Sequence, residues 1–461
     1  MTAQPIFTTP KKGSAKLHLV NDHSAGTNSL NSLIPAEGGF VKLDTLSDLV
    51  SNIRAALAEN GGRQPTYLWK SDASQAYRRL PMHPRWQVRQ ATLVDGNYHI
   101  DRCAVFGNRA SGCLWCLFFG LVCWIGMREF GIRDLLHYVD DAFNVTFSDK
   151  LTYYKPYDRQ MPSDQACFLN LLDEIGVPHE DAKQQFGRSL DIIGLTVDLR
   201  DLSITMPSDS KSELVRAIRE FVNHPPLLRR HPMRAWLQIL GHANWALNVF
   251  PLLKPALNSS YNKVAGHTFM NAPVYLNKQV SSDLLWFADQ VETLDGVRMF
   301  DVEEWSAHEA DFEIWGDASA SGLAFWSPKH QVAHIADPIV NTEGQFNIFF
   351  NEALTVLAAL QWAASLSPPP KRLAIHTDSS TSFGIFNSLH ALDLYNPIIF
   401  ESAKTWIKHQ IDLWVFFIEG KKNVVADALS HCLIGLACQI APGLTIRNFA
   451  PLLNLTGAAL K

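Results

Sequence analysis

Cysteine is scarce in this 461-residue chain: seven residues, an odd number with no framework spacing. That pattern excludes a small secreted fold stapled by disulfides and leads us to expect reduced thiols in an intracellular protein of cytoplasm or nucleus. Cys113 and Cys116 have the spacing of two metal ligands, but they stand in an apolar run with no second pair, so core packing is their expected role. Charge is also sparse, at 18% of residues, and there is no basic surplus, since 40 Lys and Arg against 45 Asp and Glu leave a net −5. No apolar run reaches the roughly 20 residues that span a bilayer. The longest, residues 113–127, is expected to form a helix buried behind a sheet, without membrane contact. The first residues lack a basic stretch followed by an apolar core, so no secretion signal is expected. Repeats are absent too. What the chain does have is 47% hydrophobic residues, enough for two or three packed domains.

Against that background one tetrad stands out, Tyr138-Val139-Asp140-Asp141, lying between the apolar runs Leu135-Leu136-His137 and Ala142-Phe143-Asn144-Val145. Two strand-like runs joined by turn formers read as a tight hairpin with both aspartates at its tip. Adjacent carboxylates repel, and a divalent cation relieves that; hard oxygen ligands suit Mg²⁺, which takes one or two carboxylates and completes its shell with water and phosphate oxygens. Upstream, Thr66-Tyr67-Leu68-Trp69-Lys70-Ser71-Asp72 reads as a strand ending on an acid, followed by one turn of helical or irregular chain that Pro81 stops. One acid at a strand end and two on a neighbouring hairpin can form the carboxylate cluster of a two-metal phosphoryl-transfer site.

In these segments the chain resembles the reverse transcriptases of retroelements. Asp72 to Tyr77 resembles the first palm motif, Phe106-Gly107-Asn108-Arg109-Ala110-Ser111-Gly112 the next, and Tyr138 to Asp141 the third. Lys183, in Gly176-Val177-Pro178-His179-Glu180-Asp181-Ala182-Lys183, resembles the fourth, and Ile192-Ile193-Gly194-Leu195-Thr196-Val197-Asp198 the fifth. Phrases such as Gly241-His242-Ala243-Asn244-Trp245 are most similar to fungal relatives of the DIRS group of retrotransposons, which use a tyrosine recombinase. The resemblance implies an RNA-directed DNA polymerase, a nucleotidyltransferase using two Mg²⁺ (or Mn²⁺) per active site. Asp72 and Asp140 would bridge the metals, with Asp141 as a supporting carboxylate. Tyr77 would exclude a 2′-hydroxyl, Phe106 and Gly107 would face nucleotide and template, and Lys183 would neutralise the pyrophosphate. Lys12 and Lys16, with Lys11, would grip the nucleic acid from the fingers. The implied partners are an RNA template, a DNA primer, an RNA–DNA hybrid and deoxynucleoside triphosphates.

The C-terminal third carries a second acidic set. Phe312-Glu313-Ile314-Trp315-Gly316-Asp317 and Leu373-Ala374-Ile375-His376-Thr377-Asp378 read as strands ending on acids. Glu352 stands near the start of an Ala/Leu-rich helix, and Asn423-Val424-Val425-Ala426-Asp427 opens another. Asp317, Glu352, Asp378 and Asp427 resemble, in order and spacing, the four metal-binding carboxylates of a ribonuclease H domain, an endonuclease of RNA–DNA hybrids. Two positions depart from the family pattern: His18 stands where an arginine is usual, and Phe417 stands ten residues before Asp427, where a loop histidine is often found. There is no Asp-Ser/Thr-Gly protease triplet, no His/Cys integrase pattern and no zinc knuckle.

The expected fold class is α+β and α/β multidomain: a right-hand polymerase of fingers, palm and helical thumb/connection, followed by a ribonuclease H-like α/β domain. Expected boundaries are 1–206 for fingers and palm, 207–305 for thumb and connection, 306–435 for the ribonuclease H-like domain and 436–461 for a tail. Apolar stripes are expected at Leu214, Ala217, Ile218, Phe221 and Val222, and at Trp236, Leu237, Leu240, Ala243 and Leu247. A decayed or domesticated copy that binds nucleic acid without copying it is the alternative, motivated by His18, Phe417 and the negative charge.

Overall fold

The computed structural model describes residues 5–10, 17–26, 29–35, 41–223, 229–298, 305–340 and 345–451. Lys12 and Lys16 lie outside them, and His18 falls in the strand Leu17–Asn21. The protein is a mixed α/β chain dividing into two units, residues 1–207 with 298–300, and residues 208–297 with 301–461.

The first unit is built on a four-stranded sheet in the order Gln185–Gly187, Tyr67–Asp72, Asp141–Thr146, Leu136–Tyr138, antiparallel throughout. Trp69 and Ala142 from this sheet bury against Trp115, Phe119, Val122 and Cys123 of the helix Ser111–Glu129, and against Phe168, Leu169 and Leu172 of the helix Ser163–Ile175. Cys116 is buried in the first of these helices and Cys113 partly so. That helix has 19 residues and is apolar enough to cross a membrane by length and composition alone, so the expectation of a run too short to span is corrected. Its buried positions recur every three or four residues, as they do where one helix face meets a core. A further helix, Leu46–Glu59, opens with a capping box in which Thr45 and Asp48 satisfy each other's backbone N–H groups.

The second unit begins with helices Ser208–Val222, Met233–Ala246, Asn258–Val264 and Lys278–Thr293. Leu214, Ile218, Phe221 and Val222 are buried as the stripe predicts, joined by Val215. In Met233–Ala246 the predicted Leu237 is exposed, and Met233 and Ala246 occupy the buried face instead. A six-stranded sheet follows, in the order Asp412–Phe417, Arg372–Thr377, Phe312–Ala318, Leu323–Ser327, Val332–Ala336, Thr445–Asn448. The helix Ile348–Ala364 covers one face: a Cβ at Gly316 would lie 3.3 Å from the Thr355 methyl, so a small residue is needed where strand and helix meet. The tail expected from 436 is corrected, since Ile434–Ile440 is helical and Thr445–Asn448 pairs in parallel with Val332–Ala336 as the sheet's last strand.

Candidate functional site

In the first unit, strand register places Asp72 directly opposite Asp141. Tyr138 also pairs with Asp141, which makes Val139–Asp140 the two-residue turn. Only one aspartate therefore occupies the tip, where the sequence suggests two; the other opens the outgoing strand. Val139 adopts φ +56°, a conformation that costs a β-branched residue energy. The turn is held in compensation: the Trp115 indole N–H donates to the Val139 carbonyl at 3.0 Å, and the Ala73 N–H donates to the Asp140 carbonyl at 3.0 Å.

Burial pushes the Asp141 carboxyl up to about 6, with Asp140 and Asp72 adding to it and Lys70 and Lys183 opposing. Asp140 is raised as well, by burial first and then by Asp72. Lys183 donates to Asp72 Oδ2 at 3.0 Å, and that bond holds its ammonium above the usual lysine range. The segment carrying Lys183 is fastened to the Asp72 strand by a bridge between Ala73 and His179 and by the Ser74 N–H to the Pro178 carbonyl at 2.7 Å. Sequence reading missed how His179 is held. Its buried ring bonds to Tyr157 and lies 3.2 Å from Asp173 Oδ1, and Arg159 donates to the Gln184 carbonyl at 2.5 Å. The single available signal was that His179 shares a segment with Lys183.

Tyr77 sits in the short turn Ala76–Arg79, its hydroxyl raised by burial and then by the Asp140 charge. The Phe106 ring lies 5.1 Å from the Tyr77 ring and is about half exposed. Gly107 has φ +92°, and a Cβ there would lie 2.8 Å from the Asn21 carbonyl oxygen, so glycine is required on both counts. Thus Asp72, Asp140, Asp141 and Lys183 come together, with Tyr77 coupled to Asp140 and Phe106 to Tyr77.

The second unit gathers its acids at strand and helix ends. Asp317, near the end of Phe312–Ala318, is pushed up to about 7 by burial, with the Ser430 hydroxyl opposing and Asp378 and Asp427 adding to the rise. Ser430 donates directly to Asp317 Oδ2. Glu352, on Ile348–Ala364, is raised by burial and by Asp378, against a bond from Ser379. The short helix Val424–Ser430 carries Asp427 and is anchored to the Asp317 strand by the buried Asn423 amide, which donates to the Gly316 carbonyl at 3.0 Å. A Cβ at Gly420 would lie 3.0 Å from Asp378 Oδ2, so the loop after Phe417 runs against that acid. Phe417 is not itself in the loop: it ends the strand Asp412–Phe417, opposite Thr377. Strand alternation sets Phe416 beside His376, which itself stacks on Trp315 on the Asp317 face, and turns Phe417 to the other face, toward Phe383 at 6.4 Å. His431 Nε2 lies 3.7 Å from Asp427 Oδ1.

Among the described residues no three His, Cys, Asp or Glu side chains are gathered closely enough to hold one ion between them. The donor chemistry nevertheless fits Mg²⁺, which asks for one or two protein carboxylates and takes the rest of its shell from water and phosphate. Carboxyls raised by burial and by one another, as Asp141 and Asp317 are, become easier to ionise when a cation is near.

No protein-family model matches the sequence, and no curated protein matches it. Among solved structures it is similar to the foamy viral protease-reverse transcriptase in complex with an RNA/DNA hybrid, at 16% identity and TM-score 0.49, covering 90% of this chain and 50% of that one. A dRH form of that viral protein in complex with double-stranded DNA gives 16% identity and TM-score 0.48, over 90% of this chain and 66% of that one. The viral protein with double-stranded DNA gives 17% and 0.48, over 90% and 78%. This chain spans half the length of the first of these.

Proposed function

We propose that the chain is an RNA-directed DNA polymerase of retroelement origin, with DIRS-type affinity, joined to a ribonuclease H domain. The observation that carries the reading is the strand register that sets Asp72 against Asp141, with Asp140 on the adjoining turn and Lys183 bonded to Asp72. Asp72 and Asp140, with Asp141 beside them, would hold two Mg²⁺ (or Mn²⁺), as would Asp317, Glu352, Asp378 and Asp427. Bound there, the ions would lower the pKa of the attacking oxygen and neutralise charge on the leaving one.

The chain's own residues do the rest. The Tyr77 ring, backed by Phe106, stands as a wall that excludes a 2′-hydroxyl by bulk. Lys183 offers a cation beside Asp72 where a pyrophosphate would leave, and the backbone bridge from Ala73 to His179 keeps its segment against the Asp72 strand. In the second unit, Ser430 occupies one oxygen of Asp317 and so fixes which way that carboxylate points. RNA template, DNA primer, RNA–DNA hybrid and deoxynucleoside triphosphates are the proposed partners.

The test is primer extension on an RNA template by the full chain and by Asp140→Asn. Loss of extension by several orders of magnitude with unchanged folding is expected. Extension by the variant at the wild-type rate would refute the assignment. A second reading, a nucleic-acid-binding relic, draws on the lack of three converging ligand side chains among the described residues and on the net charge of −5. It predicts that the wild-type chain binds hybrid and extends nothing.

A further inference from the structure

Building on the polymerase reading, we propose that Asn31 is a specificity-determining positioning residue. It fixes the Phe106–Gly107 turn against Tyr77, and so sets how strictly the site rejects a ribonucleotide.

Asn31 opens the short turn Asn31–Leu33 and is only 7% exposed. Its carboxamide reaches across 76 residues of sequence to donate to the Gly107 carbonyl at 2.8 Å. The same NH₂ group donates to Ser24 Oγ at 2.9 Å, and the Asn31 side-chain oxygen accepts from the Arg109 N–H at 2.8 Å. The two peptide groups caught in this way bracket Asn108, so the turn is gripped on both sides of its middle residue. The Asn31 backbone N–H donates in turn to the His23 carbonyl at 3.0 Å, which ties the clamp to the segment lying under Gly107. There the buried His23 ring lies 3.6 Å from where a Gly107 Cβ would be, and the Asn21 carbonyl closes the other approach at 2.8 Å.

Tyr77 is held independently by its own turn, in which the Leu80 N–H donates to the Tyr77 carbonyl at 3.0 Å. Phe106 lies in a turn that the Asn108 N–H closes onto the Val105 carbonyl at 3.4 Å, with the Ser111 hydroxyl donating to the same carbonyl at 2.9 Å, and its side chain adds no hydrogen bond of its own. Its ring is about half exposed and meets Tyr77 at 5.1 Å, so its place depends on the backbone turn that Asn31 holds. A wall that selects by bulk works only when kept within about 0.5 Å of its place. The chemistry of the clamp is specific to a carboxamide, which donates to a carbonyl and accepts from an N–H at once. Aspartate at this position would set an anionic oxygen against the Gly107 carbonyl; leucine would fill the space and bond to neither group.

The experiment compares single-nucleotide incorporation of a deoxynucleotide and its matching ribonucleotide by the full chain, by Asn31→Leu, by Asn31→Asp and by Asp140→Asn. Primer–template affinity and melting temperature are measured alongside. Discrimination, the ratio of kcat/KM for the two sugars, should fall about ten-fold in both Asn31 variants through a lower ribonucleotide KM, with primer–template affinity unchanged. A scaffold role alone would lower both substrates in parallel and leave the ratio intact, and that result overturns the proposal. Asn31→Asp is isosteric and keeps the test open if Asn31→Leu does not fold; failure of both to fold also overturns it. If wild-type protein extends no primer, the polymerase reading falls and this inference with it. If wild type extends, Asp140→Asn does not, and both Asn31 variants discriminate normally, only this inference falls.

Discussion

Replacing Asp317 with asparagine should stabilise the second unit in metal-free buffer while removing its proposed cleavage activity. Asp317 is 8% exposed, and burial is the first cause of a carboxyl pushed up to about 7 from the ordinary 3.8. A carboxyl with a raised folded pKa binds more protons folded than unfolded. Its contribution is therefore fully present below about pH 4, is lost as pH rises toward about 7, and leaves the fold least stable above that. About three units at about 1.36 kcal/mol each amount to about 4 kcal/mol of cost for the ionised form. Asparagine has no charge to bury, its side-chain oxygen still accepts from Ser430, and the stronger bond to the ionised carboxylate is already contained in the net rise. A net gain of about 4 kcal/mol above pH 7 follows, or about 8–16 °C in a unit of this size. Calorimetry of the full chain in EDTA at pH 8 and pH 4.5, paired with hybrid cleavage in Mg²⁺, reads both effects. The gain should be large at pH 8, small at pH 4.5, and accompanied by loss of cleavage. An equal gain at both pH values, or destabilisation at pH 8, would refute the argument that this carboxylate is held against its own ionisation.

Tyr77→Ala should admit ribonucleotides in single-nucleotide incorporation; unchanged sugar discrimination would remove Tyr77 from the gate. Phe417→His should leave hybrid cleavage at the wild-type rate, because the strand turns that side chain toward Phe383, on the face opposite Asp317; a rate gain of ten-fold or more would contradict that orientation. Gly420→Ala puts a Cβ 3.0 Å from Asp378 Oδ2, and should lower hybrid cleavage about ten-fold or more while primer extension stays constant. Equal loss of both activities would point to a folding defect instead.

The strand-end acids were legible because each closes a short apolar run, and a run of that kind with a polar stop is the strongest local sign of a strand. The hairpin tip was not. Asp-Asp is better turn chemistry than Val-Asp, and the left-handed Val139 is explained only by the Trp115 and Ala73 bonds, which come from distant sequence. Thr445–Asn448 escaped notice because Thr-Ile-Arg-Asn holds a single apolar residue, and its strand character comes from the neighbour it pairs with. Phe417 illustrates the limit of counting: ten residues before Asp427 marks a loop only if the strand ends earlier, and this strand continues to 417. Asn31 carries no periodic signal, since a polar residue that bonds two backbone groups 76 residues or more away has no mark in its own neighbourhood.

The strand Thr445–Asn448 also bears on the order in which the second unit is completed. Its partner Val332–Ala336 leaves the ribosome more than a hundred residues earlier, as does Leu323–Ser327 on that partner's other side. Until the last strand arrives, Val332–Ala336 is an open edge whose unpaired N–H and C=O groups can recruit any extended chain. The interval is long because the helix Ile348–Ala364, two parallel strands and the Asp427 helix are all synthesised within it. Closing so distant a pair is slow, and the loop between must be ordered first. Assembly of the acidic set around Asp317 and the sealing of the sheet are therefore separate events, and the carboxylates can be in place while the edge two strands away is still open.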